Sequence, residues 1–295
     1  MIKQTLMFTS PVSLSLKDKQ IVITFKDNKD TVTRPIEDVG FVVIENPMVS
    51  ITVPLLNELA DNNVAVIFCD KKMMPKTMLM TLDGNTTQQE SYKYQLNASL
   101  PMKKNVWKQL VECKIKNQSL LLNKVGKGGG VLKPYYLNVK SGDSDNREGA
   151  AAREYWRLLF DDGFKREREG LSPNGMLNYG YTILRAAVTR ALIGSGLYPA
   201  FGVFHRNRYN AFPLADDIME PYRPFVDEIV YHLYYDGAIN ELDSQTKRRL
   251  LRVLFSDVKM GKVTRPLENA LSLTTASLLK MYKGESDKLS LPMLV

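Results

Sequence analysis

At Asp83-Gly84-Asn85-Thr86 the apolar residues change period, and that change decides what the chain can fold into. Before it they alternate with polar residues, the pattern of half-buried strands. Val12, Leu14 and Leu16 alternate, Asp18-Lys19-Gln20 supplies a turn, and Ile21, Ile23 and Phe25 alternate again. Val39 to Ile44 is a short, β-branched run that reads as a buried strand. Ser50 is placed to cap a short helix through Leu59. Val64 to Phe68 and Lys76 to Thr81 complete the strands. From Gln88 onward the spacing becomes helical, with Trp107, Leu110, Val111 and Ile115 on one face of a long helix. Further helices are predicted from Asp145 to Phe160 and from Asn174 to Leu192. Shorter ones are predicted around His205, after Pro213 and after Pro221, and two more over 242–260 and 264–282. Gly126-Lys127-Gly128-Gly129-Gly130 lacks the Gly-Lys-Ser/Thr ending of a phosphate loop and reads as a flexible loop. The expected class is α+β: a β-rich domain over 1–86, then a larger all-helical domain over 87–295.

Charge divides at the same place. Residues 1–86 carry nine basic and ten acidic side chains, whereas 87–295 carry 31 and 22. The whole excess of the +8 chain therefore lies in the helical part, which points to a polyanionic partner there. Two cysteines, Cys69 and Cys113, are too few for a disulfide framework or a thiolate zinc site and read as buried free thiols in a reducing compartment. No apolar run is long enough to span a bilayer, and Met1 to Thr9 is too short and polar for a signal peptide. The expected location is the cytoplasm.

Only two histidines exist, which narrows the chemistry. No Gly-x-Ser-x-Gly elbow accompanies them, and neither cysteine has the basic, exposed setting of a reactive thiol. His232 lies among Ile229, Val230, Leu233 and Tyr234 and reads as a helix residue at the edge of a core. His205 lies in the polar, basic stretch Phe204-His205-Arg206-Asn207-Arg208-Tyr209. If Pro213 opens the next helix, Asp217 and Glu220 fall at i and i+3 on one face. Two carboxylates and an imidazole suit Mg²⁺ or Mn²⁺; acids near a helix start also serve its dipole. Glu148 has two readings as well. With Asp145 as N-cap it takes the capping-box position, while the following Gly149 and alanines let a ligand approach closely.

A resemblance becomes specific at these residues. Asn146-Arg147-Glu148-Gly149-Ala150-Ala151 through Tyr155-Trp156, Leu177 to Tyr181 through Gly196-Leu197-Tyr198-Pro199, Gly202-Val203-Phe204-His205, and Asp217-Ile218-Met219-Glu220-Pro221-Tyr222-Arg223-Pro224 with Asp227 closely resemble the CRISPR adaptation integrase family, type II members most of all. The match is strong over about 145–235. The resemblance implies a dimerising N-terminal β domain and a helical catalytic domain. It implies metal ligands at Glu148, His205 and Glu220, with Asp217 an assisting acid, and Mg²⁺ or Mn²⁺ as cofactor. It further implies attack of a spacer 3′-hydroxyl on a repeat phosphodiester of a CRISPR array, by homodimers bridged by a small partner protein dimer. Double-stranded DNA would be gripped by the basic domain. Arg206 and Arg208 are candidates near the reaction centre, and Lys165, Arg166, Arg168, Lys247, Arg248, Arg249 and Arg252 elsewhere; Lys247 to Arg252 also read as a solvated helix face. Tyr155 and Tyr179 fit either the site or the core. A metal-dependent DNA or RNA nuclease using water, and a non-catalytic nucleic-acid scaffold, are the competing functions.

Overall fold

Among the described residues, the alternating N-terminal stretch folds as eight strands and one α-helix. They are β1 (Gln4–Phe8), β2 (Val12–Lys17), β3 (Gln20–Phe25), β4 (Thr31–Pro35), β5 (Val39–Ile44), β6 (Ser50–Ile51), α1 (Val53–Asp61), β7 (Ala65–Cys69) and β8 (Pro75–Leu79). The structure is a computed structural model that describes residues 3–27, 30–81, 83–167, 172–237 and 242–295. It divides into two compact units, Met1–Gly84 and Asn85–Val295.

In the first unit Asp18 and Lys19 both adopt positive φ, the backbone of a tight hairpin turn whose twist matches its strands. The turn sets Leu14 opposite Ile23 and Leu16 opposite Ile21. One sheet runs β4-β3-β2-β6 and the other β1-β5-β7-β8, the first three strands of the latter parallel. β5 is buried along its whole length, as a central parallel strand must be. Leu14, Ile23, Val42 and Val66 share one core with Leu55 and Leu59 of α1. Ser50 does not cap that helix. It lies in β6 and bonds Ser13 through its hydroxyl, and the N-cap is Thr52, which makes no side-chain cap bond.

The second unit is built on helices α2 (Gln88–Leu96), α3 (Leu100–Lys124), α4 (Lys133–Leu137), α5 (Arg147–Phe160), α6 (Asn174–Gly194), α7 (Pro213–Met219), α8 (Arg223–Tyr235), α9 (Ser244–Leu251) and α10 (Leu267–Tyr282). α3 is its hub. Ser99 caps it, Pro101 preorganises its first turn, and Trp107, Leu110, Val111 and Ile115 are all buried. It packs on α5, α8 and the 3₁₀ turn 220–222. α6 approaches α8 so closely that a Cβ on Gly180 would meet Val226 at 2.4 Å.

Three departures from the spacing have simple causes. The unit is not all helical: β9 (Asp257–Met260), β10 (Val263–Pro266) and β11 (Met293–Leu294) form a small antiparallel sheet. The Gly261-Lys262 turn, with Gly261 at φ 63°, breaks what reads as helical spacing. The glycine run is not a loose loop. Ser119 donates to Gly129 O at 2.7 Å, and a Cβ at Gly129 would overlap the Ser119 carbonyl, so glycine permits the close approach. No helix forms around His205; 201–212 is irregular backbone leading into α7. His232 is exposed, its ring edge-on to Tyr231. Of the cysteines, Cys113 is buried and Cys69 half-buried. Among the described residues no helix is long and apolar enough to cross a membrane.

The C-terminal residues are tied to α3. Asn117 donates to Pro221 O at 2.8 Å and to Pro292 O at 3.1 Å, and accepts from Leu294 N at 3.1 Å. Lys124 reaches Val295 O at 2.7 Å.

Candidate active site

Glu148 sits in the first turn of α5. Asn146, in the left-handed region, is the N-cap and accepts from Gly149 N at 3.1 Å. Asp145 is not the cap; it pairs with Arg147. The Glu148 amide donates instead to Asp143, whose carboxylate also accepts from Arg147 N. The Glu148 side chain is thereby excused from capping and free for other work.

That work is shared with Glu220. The Lys114 ammonium, projecting from α3, lies 2.5 Å from Glu148 Oε1 and 2.5 Å from Glu220 Oε2. Glu220 Oε1 is 2.9 Å from Arg223 Nη2. Burial opposes ionisation of Glu220, but Arg223 and Lys114 outweigh it and hold its carboxyl below the usual range. Lys114 is buried too, and the two carboxylates override that burial and raise its pKa. Glu220 Oε2 is buried, and its contact with Lys114 lacks the geometry of a hydrogen bond.

His205 is fixed from one side. Fully buried Asp217 accepts from Val203 N at 2.6 Å, Phe204 N at 3.1 Å and His205 N at 3.1 Å, and it meets His205 Nδ1 at 2.6 Å. A short α7 thus supplies the acceptor for three consecutive amides of an irregular segment, which is why that segment needs no helix. The bond to Asp217 raises the histidine pKa against partial burial. With Nδ1 committed, Nε2 is the nitrogen left to act, the arrangement in which a carboxylate orients a histidine ligand. The ring also lies edge-on to Trp107, on which Phe204 stacks at 4.1 Å.

The expected trio of ligands is not closed up. Among the described residues no three His, Cys, Asp or Glu side chains are drawn together tightly enough to hold a metal ion. Glu148 and Glu220 converge on Lys114, while His205 couples to Glu220 through charge alone. The physical reason is that two carboxylates at close quarters need a cation between them, and Lys114 provides it. The donor types still fit a hard divalent cation: two carboxylates whose present partner is the Lys114 ammonium, and an imidazole whose Nδ1 is held by Asp217.

A cavity of about 240 Å³ opens on this pair, lined also by Gln118, Arg166, Tyr181, Arg223 and Asp227. Asp227 accepts from Tyr155 Oη at 2.8 Å and from Tyr181 Oη. Burial pushes its carboxyl up to about 6, with the two phenols working against that rise. Tyr155 is therefore a buried member of this network. Between pH 4 and 6 folded Asp227 keeps a proton that the unfolded chain has released, so its contribution to stability falls as pH rises through that window and stays lost above it. Chemical denaturation from pH 4 to 7 should show wild type losing on the order of 2–3 kcal/mol relative to Asp227→Asn; parallel curves would contradict the assignment.

Glu148 and Glu220 thus meet at Lys114, and Asp217 orients His205. The family model for CRISPR associated protein Cas1 matches residues 6–269. The chain belongs to the CRISPR-associated Cas1 family. This is the adaptation integrase family that the sequence resembles. The CRISPR-associated endonuclease Cas1 of Neisseria meningitidis serogroup C is 36% identical over 262 residues, 88% of this chain and 85% of the relative. A Cas1 endonuclease of Francisella tularensis subsp. novicida is 27% identical over 89% of the chain and 87% of the relative. In fold the chain is similar to the Cas1 protein of Thermotoga maritima (TM-score 0.73, 18% identity, covering 96% and 98% of the two chains). It is also similar to a casposase bound to integration product (TM-score 0.81, 19% identity, covering 98% and 93%).

The DNA candidates of this Cas1-family chain separate by exposure. Arg206 and Arg208 are exposed beside His205, Arg208 lying over the Tyr209 ring. Arg248 and Arg252 are exposed, and Arg249 pairs with Asp236. Lys247 is only 3% exposed, with its ammonium over the Tyr179 ring; it belongs to the core and is not presented to a phosphate. Lys165 is exposed, whereas Arg166 bonds Asn174 and Asn178. Arg168 lies outside the described residues. Sequence reasoning missed Lys114 and underused Arg223 and Asp227. The signal for Lys114 is a lysine on the stripe Trp107, Val111, Gln118, where core spacing calls for an apolar side chain.

Proposed function

We propose that the protein inserts spacer DNA into a CRISPR array, a spacer 3′-hydroxyl attacking a repeat phosphodiester. The observation that carries this reading is the convergence of two carboxylates from separate elements on Lys114, with Glu220 coupled through charge to a histidine whose Nδ1 is committed to a buried acid. Glu148, Glu220 and His205 Nε2 would hold Mg²⁺ or Mn²⁺. When bound, such an ion polarises the phosphoryl oxygen and neutralises developing charge. No protein nucleophile is needed, because the DNA supplies its own hydroxyl. Asp217 keeps the imidazole aimed, and Arg223 holds Glu220 in its ionised form. Arg206 and Arg208 would position phosphates near the reacting strand. The β-rich 1–86 would serve dimerisation and 87–295 catalysis, in the cytoplasm. A Cas6-RT-Cas1--Cas2 complex among the fold neighbours supports action with a partner protein, which on this reading would be a small protein dimer bridging two dimers of this chain.

A joining assay with a 3′-hydroxyl donor and a supercoiled array plasmid tests this. Products that depend on the free hydroxyl are expected. Cleavage alone, or equal products from a 3′-blocked donor, would favour a nuclease using water, the activity by which the relatives are named. Arg206→Ala should weaken DNA binding and make the log–log salt slope shallower by about one unit; an unchanged slope would remove Arg206 from the phosphate contacts.

A further inference from the structure

We propose that Lys114 is a resident counter-cation that couples divalent-metal binding to DNA binding, standing between Glu148 and Glu220 until a phosphodiester draws it away. The inference rests on the metal reading of those carboxylates and goes beyond it. In charge the pair is already balanced: Glu148 and Glu220 face Lys114 and Arg223. A neutral nest has little long-range pull on a dication, and a second cation brought beside the ammonium is repelled by it. The two positive charges differ in mobility. Arg223 is clasped to Glu220, and its guanidinium also lies 4.7 Å from the Tyr181 ring centroid. Lys114 is a point charge on a flexible stem, and it borders the same 240 Å³ cavity as both carboxylates. It can therefore swing from carboxylate to an incoming phosphate with no change in α3. A DNA phosphate entering the cavity would give the ammonium a new partner and free the Glu148 and Glu220 oxygens together. Without DNA, the lysine keeps the carboxylates paired and the site shut to the ion. Metal and DNA would then each strengthen the other's binding by the same factor, as linkage requires.

The probe is Mn²⁺, titrated calorimetrically into the full chain with and without a 3′-blocked duplex. Lys114→Met removes the charge and keeps most of the stem; Lys114→Arg keeps the charge. Without DNA, Lys114→Met should bind Mn²⁺ at least about tenfold more tightly than wild type, the order expected for deleting a unit charge a few ångströms away. Lys114→Arg should resemble wild type. DNA should tighten Mn²⁺ binding by wild type, and much less by Lys114→Met. Mn²⁺ should also raise the melting temperature of Lys114→Met more than that of wild type, a readout independent of joining. Equal Mn²⁺ affinity in wild type and Lys114→Met, abolished by Glu148→Gln, would overturn the coupling and leave the metal site standing. No Mn²⁺ binding by any of the proteins, with or without DNA, would overturn both.

Discussion

Glu148→Gln is expected to bind DNA within a few-fold of wild type and to join essentially none of it. The loss should be on the order of a thousandfold or more, because under the proposed function a neutral amide would replace a ligand carboxylate where transition-state charge develops. His205→Ala should do the same. Glu148 is the cleaner test of the two acids. Its side chain is 25% exposed, against 4% for Glu220. Removing the charge of Glu220 would leave half-buried Arg223 without its carboxylate and buried Lys114 with Glu148 alone, at a stability cost of a few kcal/mol that confuses chemistry with folding. The check is a single-turnover joining rate beside a filter-binding isotherm. A Glu148→Gln protein that joins ends at more than a tenth of the wild-type rate would remove Glu148 from the reaction centre.

Asp217→Ala should damage both stability and chemistry. Its carboxylate is the common acceptor of three backbone amides and the imidazole, at complete burial. Deleting it leaves several donors without a partner in a closed space, at roughly 3–5 kcal/mol. For a unit of this size that is a fall in melting temperature of roughly 8–15 °C. Joining should collapse as well, since the segment that presents His205 loses its anchor. His205→Asn separates the two effects: activity lost, with a melting temperature within a few degrees of wild type. An Asp217→Ala protein with near-normal joining would show that the histidine is aimed by something else.

The sequence made these two roles only partly legible, and the reasons differ. The period change near Gly84 exposed the switch from strands to helices because patterning of buried faces is a local property. Glu148, His205 and Glu220 stood out as candidates because their surroundings repeat a family's motifs. The role of Asp217 was not, because spacing places it beside Glu220 on a helix face, whereas in the structure it turns toward backbone amides a dozen residues earlier. Lys114 was hidden in a run of core positions; its partners lie 34 and 106 residues away in sequence. Asn146 displaced Asp145 as the cap of α5 through a left-handed backbone, which composition does not encode. Lys247 read as a surface cation and proved buried because its stem packs inward beneath an aromatic ring.

Asn117 carries a practical consequence. One side-chain amide holds the carbonyl beside Glu220 and also the backbone of residues 292–294. Through Asn117, β11 and its small sheet are tied to the turn that carries Glu220. A reporter or purification handle fused directly after Val295 would lever on the turn that presents Glu220. The same cargo attached ahead of β1 would load a different compact unit.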